Sequence, residues 1–241
     1  LSGRYIVMFS QGADVAGLYT AASKLPAVMN MVVTIFQQSW QIFSAREYDA
    51  SDSRSSFGTV FKVFTAFLLC AGSLVIALTV PLSRIMLSGD FFAAYVFVPF
   101  LMLSSVISGY STYFGTLYNA AKNNRMIFVT TMVGAFVNVV LGALLSFAIG
   151  AWGPIIAGVV AYVLISLMRA YDTKRLINID VDILYQVIGL GLLLVECVFI
   201  SFGFAFATLV SIVCSLLFNL FTLYRYRKIV KTLLKSLKVG H

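Results

Sequence analysis

Two cations and a run of uncharged polar side chains at helical spacing carry what chemistry this chain offers. Thr20, Ser23, Ala27, Asn30, Thr34, Gln37 and Gln41 follow one another at steps of three and four, which lays them along one face of a helix. Lys24 sits beside that stripe, and Arg4 lies on the segment before it. With helix ends near Ser10 and Val15, a rise of about 1.5 Å per residue puts Arg4 roughly 9 Å and Lys24 roughly 13 Å below one membrane face. A charge inside a bilayer costs at least about 2.5 kcal/mol and marks function by default, so the pair predicts a site for an anionic group such as a diphosphate. The competing reading is that both long side chains snorkel to the headgroups. Asn30, Gln37 and Gln41 have several hydrogen bonds each to satisfy, which favours a hydrated cavity over simple helix packing for the stripe.

Glu196 is the one acid well inside an apolar run, about 8 Å from the predicted end of its helix. It is either a protonatable ion-coupling residue or a neutral carboxyl satisfied by a neighbour or by the interface. Pro26 predicts a bend in the striped helix, as a hinge or as a static kink. Gly134, Asn138 and Gly142, and likewise Ser104 and Ser108, repeat every four residues and read as close helix contacts. The single histidine is His241, and no phosphate-binding glycine loop occurs, so histidine-dependent catalysis or metal binding and nucleotide hydrolysis have no support. Cys70, Cys197 and Cys214 lie in apolar runs and read as packed thiols. No cofactor is expected.

The elements that must position these groups are membrane helices. The chain is 61% hydrophobic and 11% charged, a balance that a water-soluble fold of 241 residues has no means of hiding. Sustained apolar runs predict an all-α, polytopic membrane helix bundle with spans at 16–44, 57–80, 94–118, 126–149, 153–171, 183–201 and 203–224. Residues 1–10 read as the outer end of a helix whose beginning is missing. Alternate connections, 45–56, 119–125 and 169–182, hold the Lys and Arg residues, with Arg169 counted in the last, so they are predicted to be cytoplasmic together with the C-terminus. The tail 225–241 spaces Lys228, Lys231, Lys235 and Lys238 opposite Val230, Leu233, Leu234 and Leu237, the pattern of an amphipathic helix held at anionic lipids. That topology accounts for the net charge of +8 and leaves nucleic acid an improbable partner.

Several segments together carry a resemblance: SGRYIVMFSQGADVAGLYTAASKL (2–25), FQQSWQIFSARE (36–47), GTLYNAAKNN (115–124) and FVNVVLGALLSFAIGAWGPIIAGVVAYVL (136–164). In order and spacing the chain resembles the polysaccharide-flippase family, the Wzx-like exporters of lipid-linked O-antigen and capsule units, in the superfamily that includes the MATE transporters. The family often has Asp where this chain has Gly3, and Phe147 stands in place of a usual Pro, with Pro154 after Gly153 in place of Ala. The resemblance implies a C-terminal six-helix lobe over 1–171 with its first helix truncated, two additional helices over 172–224, and a basic tail. It implies alternating access around a cationic cavity that passes an undecaprenyl-diphosphate-linked oligosaccharide across a bacterial inner membrane, alongside other polysaccharide-assembly membrane proteins. Arg4 and Lys24 would then contact diphosphate or acidic sugar, with Tyr19, Asn30 and Gln37 lining the path. The alternatives are a cation-coupled, MATE-like exporter of small molecules, for which acids are expected in the cavity, and a membrane glycosyltransferase or polymerase. The second lacks suitable acids in its loops.

Overall fold

The computed structural model describes residues 2–47, 53–87, 89–177, 179, 181–204 and 206–227. Among them the chain is helical throughout, with no strand: α1 (Ser2–Gln11), α2 (Ala13–Ala22), α3 (Lys24–Glu47), α4 (Ser53–Ala77), α5 (Thr79–Met86), a 3-10 helix (Gly89–Phe97), α6 (Val98–Ala120), α7 (Asn124–Ile149), α8 (Trp152–Thr173), α9 (Ile183–Ser201) and α10 (Ala207–Arg225). Six of these segments are long and apolar enough to cross a membrane, the 3-10 helix and α6 counting as one. The chain is a multi-pass membrane protein. The proposed amphipathic helix of the tail falls on residues 228–241, outside the described residues, as do Asp49 and Asp52 of the 45–56 connection.

The bundle is arranged around α6. Seventeen of its 23 residues are buried, so it meets protein on every side, and its neighbours are α3, α4, α7, α8, α9 and the 3-10 helix. Aromatic side chains lock α3 and α4 to it: Trp40 stacks on Tyr113, and Phe36 on Phe64. Polar ties across the middle of the bundle are internal, as a low-dielectric setting requires. Tyr110 of α6 donates to the Gln186 side chain of α9, whose Nε2 donates in turn to Thr65 of α4 over 2.8 Å. The periphery has the opposite character. Phe128, Phe136, Leu144 and Phe147 on α7, and Leu209, Leu216 and Leu220 on α10, are exposed, which is favourable only against hydrocarbon.

The α7 and α8 helices make the most extensive pairing in the bundle. Gly150 turns between them at φ 62°, a left-handed conformation that suits glycine. A Cβ on Gly153 would run into the backbone of Leu145 and Ser146, so this glycine sets how closely the hairpin closes. At the opposite end of the bundle Asp182 caps α9 through the Tyr185 amide and pairs with Arg225 of α10 at 2.7 Å. Burial and the adjacent Asp182 carboxylate push the Tyr226 phenol up to about 12, so it remains a donor to that carboxylate.

Three predicted features are corrected. The single span 16–44 is two helices, α2 and α3, parted at Ser23, because Pro26 has no N–H to offer the Ala22 carbonyl and its ring crowds that oxygen. The connection 81–93 is largely helical, formed by α5 and the 3-10 helix. Arg169 belongs to no loop: it is 7% exposed, inside α8.

Candidate functional site

A cavity of about 630 Å³ opens between α2 and α3 on one side and α6, α7 and α8 on the others. Its walls follow from residue type. From the α2–α3 side come Tyr19 and three members of the stripe, Ser23, Ala27 and Asn30. From α6 come Ser104, Ser105 and Ser108; from α7, Thr131, Gly134 and Asn138; and from α8, Gly158 and Tyr162. The small residues make the space. Gly158 lies where an added Cβ would sit 3.5 Å from Ser104 Oγ and 3.6 Å from Asn138 Nδ2, so three helices bring small polar groups to one level. These serine and asparagine repeats, expected only to pack, therefore also line the cavity. Gly134 and Gly142 do serve packing, against Ile165 and against the Pro154 and Ala157 region.

Gly3 of α1 closes one corner. A Cβ there would come within 2.5 Å of the Tyr19 hydroxyl oxygen, so Gly3 is what lets the phenol lie where it does. Ser23 donates its own hydroxyl hydrogen to the Tyr19 carbonyl over 2.8 Å, leaving only acceptor lone pairs for anything bound in the cavity.

The lining contains no ionised side chain among the described residues. Tyr19 and Asn30 of the predicted site line it. Arg4 and Lys24 are exposed and stand outside it, each one residue along the chain from a lining residue, Gly3 or Ser23. Gln37, half-buried, also lies outside, two helical turns beyond Asn30. Hydroxyls, amides and two phenol rings in a concave space suit a neutral polyhydroxyl group, which needs both acceptors and donors and stacks its carbon faces on aromatic rings.

Beneath Thr131 lies the one buried cation of α8, Arg169. The Arg169 guanidinium donates through Nε to Thr130 Oγ1 at 3.0 Å, through one terminal nitrogen to the Ser111 carbonyl at 2.7 Å, and through the other to Thr131 Oγ1 at 2.9 Å. All three acceptors are neutral. Gly115 makes room, since a Cβ there would stand 3.0 Å from the guanidinium. The signal was present in the sequence: Pro154, Ala157, Ala161, Ile165, Arg169 and Thr173 run at steps of three and four along the buried face of α8.

Glu196 is away from the cavity, between α9 and α4. It is 2% exposed; its Oε1 accepts from Ser73 Oγ at 2.9 Å, and its Oε2 is buried without a partner. No group of His, Cys, Asp and Glu residues suited to a metal ion occurs among the described residues.

Fold and site together define a class, a multi-pass helix bundle with a polar cavity among its spans. No protein-family model, curated protein or solved structure matches the chain.

Proposed function

We propose that this chain is the C-terminal part of a flippase that passes the sugar headgroup of an undecaprenyl-diphosphate-linked oligosaccharide across a bacterial inner membrane by alternating access. The observation that carries the reading is the uncharged polar cavity, hydroxyl, amide and phenol in character, set within helices whose outer faces suit only lipid. The resemblance of residues 2–25, 115–124 and 136–164 to the polysaccharide-flippase family supports the same cargo. In this reading Tyr19, Asn30 and Asn138 hold the sugar, and Arg4 and Lys24, at the rim, meet the diphosphate. The C-terminus is cytoplasmic, where its lysines meet anionic lipid. The chain acts as a transporter and not as an enzyme, with other polysaccharide-assembly membrane proteins as its partners.

The rival is a cation-coupled exporter of small molecules. A cationic cargo wants acids in the cavity, and the lining holds none among the described residues. The deciding experiment is complementation of a strain lacking its O-unit or capsule exporter with the intact gene. Restored surface polysaccharide is expected, falling about tenfold with Asn30→Leu, since one hydrogen-bonding group is worth about 1.4 kcal/mol. No restoration, combined with gained resistance to toxic cations, overturns the reading in favour of the rival.

A further inference from the structure

The α4–α9 interface holds an acid without a counter-charge. Glu196 reaches from α9 to Ser73 of α4, and both are all but inaccessible to solvent. The interface is close because Gly72 lies against Leu193 of α9 and Val106 of α6, while Gly189 lies against Leu69 of α4. Ionised, the carboxyl would sit in a membrane-spanning helix with one hydroxyl for solvation and nothing at all on Oε2. An isolated carboxylate is far too costly there, and such a group takes up a proton instead.

The surrounding ionisable groups do not change that balance. Cys197 adjoins it on α9, whereas Cys70 on α4 and Tyr110 on α6 face Tyr185 and Gln186, ten or more residues away along α9. Asp90 on the 3-10 helix is exposed and carries the same sign of charge. The cations of these helices are remote: Lys62 is eleven residues before Ser73, and Arg225 pairs with Asp182 at the far end of α9.

Two more buried polar atoms lie toward the near end of the helix. Ser201 Oγ on α9 and Ser211 Oγ on α10 are also buried without partners. Ser201 is about 7.5 Å of rise beyond Glu196, in the last turn of α9. Buried orphan groups of this kind are where ordered water is found. A metal cation is a poor occupant: one carboxyl and one hydroxyl supply far fewer oxygens than such an ion requires.

We propose that the Glu196–Ser73 pair is a proton-binding site, a neutral carboxyl held between α4 and α9 that exchanges its proton with water through the Ser201 end of α9. Exchange moves one proton between Oε2 and a water molecule, and no other bond changes. The site does not depend on what the cavity carries, so its test stands apart from the transport assay.

The test is infrared spectroscopy of the chain in membranes at pH 7, with glutamate carboxyls labelled with carbon-13. The chain contains one other glutamate, Glu47. The expected result is a labelled band of the protonated carboxyl type that disappears in Glu196→Gln, shifts in frequency in Ser73→Ala and moves on transfer to heavy water. Absence of that band at pH 7, or a band that heavy water leaves in place, overturns the proposal. Should Glu196→Gln fail to insert, the wild-type spectrum with and without Glu47→Gln assigns the band instead.

Discussion

Arg169 illustrates how much one side chain can organise when the solvent is lipid. Its guanidinium joins the α6 backbone to two threonines of α7. Arg169→Ala is expected to lower unfolding stability in detergent by about 2–4 kcal/mol, because hydrogen bonds made by a charged donor are lost and their acceptors stay buried. Arg169→Lys should recover little of it, since an ammonium lacks the planar fork that reaches three acceptors. Gly3 works through space alone. Gly3→Asp should displace the Tyr19 ring and reduce transport while leaving stability nearly unchanged, as read by complementation beside a thermal melt. Tyr19 and Asn30 were legible as lining residues, one from the resemblance and the other from its place in the stripe. Ser104, Ser108 and Asn138 were not, because a four-residue repeat of small polar residues looks the same whether it faces another helix or a hollow between helices.

The elements were the more legible part of the molecule, since an apolar run of about 20 residues admits few other structures in a bilayer. What escaped was local breakage. The striped segment contains one proline, and the sequence does not reveal whether the chain bends there or starts a new helix; packing around Ser23, whose amide bonds back to Tyr19 and Thr20, selects the second. Pro26→Ala returns the missing N–H and should fuse α2 with α3, adding about 3 kcal/mol of helix preference at that point. Slower export with normal membrane insertion is the expected outcome if the break lets the two segments move; unchanged export would make it a fixed kink. On the α7–α8 hairpin, Gly153→Leu should prevent the close approach of the two helices and cost several kcal/mol, detectable as loss of folded protein in membranes.

At the scale of the molecule, the two ends of the bundle differ in composition, and accessible labels can read them. Cysteines placed at Asn124 and at Phe202, both exposed, sit at opposite ends, by the start of α7 and the end of α9. In a background without Cys70, Cys197 and Cys214, the first should react from the cytoplasm and the second from outside; the reverse would invert the proposed orientation. The central position of α6 bears finally on biogenesis. Its Tyr110 hydroxyl and its Ile107 and Ser111 carbonyls pair with side chains of α9 and α8, which are synthesised after it. A newly inserted α6 must therefore wait in the bilayer with its polar groups uncovered, and a nascent chain halted near residue 123 is a natural client for a membrane insertase or a quality-control protease.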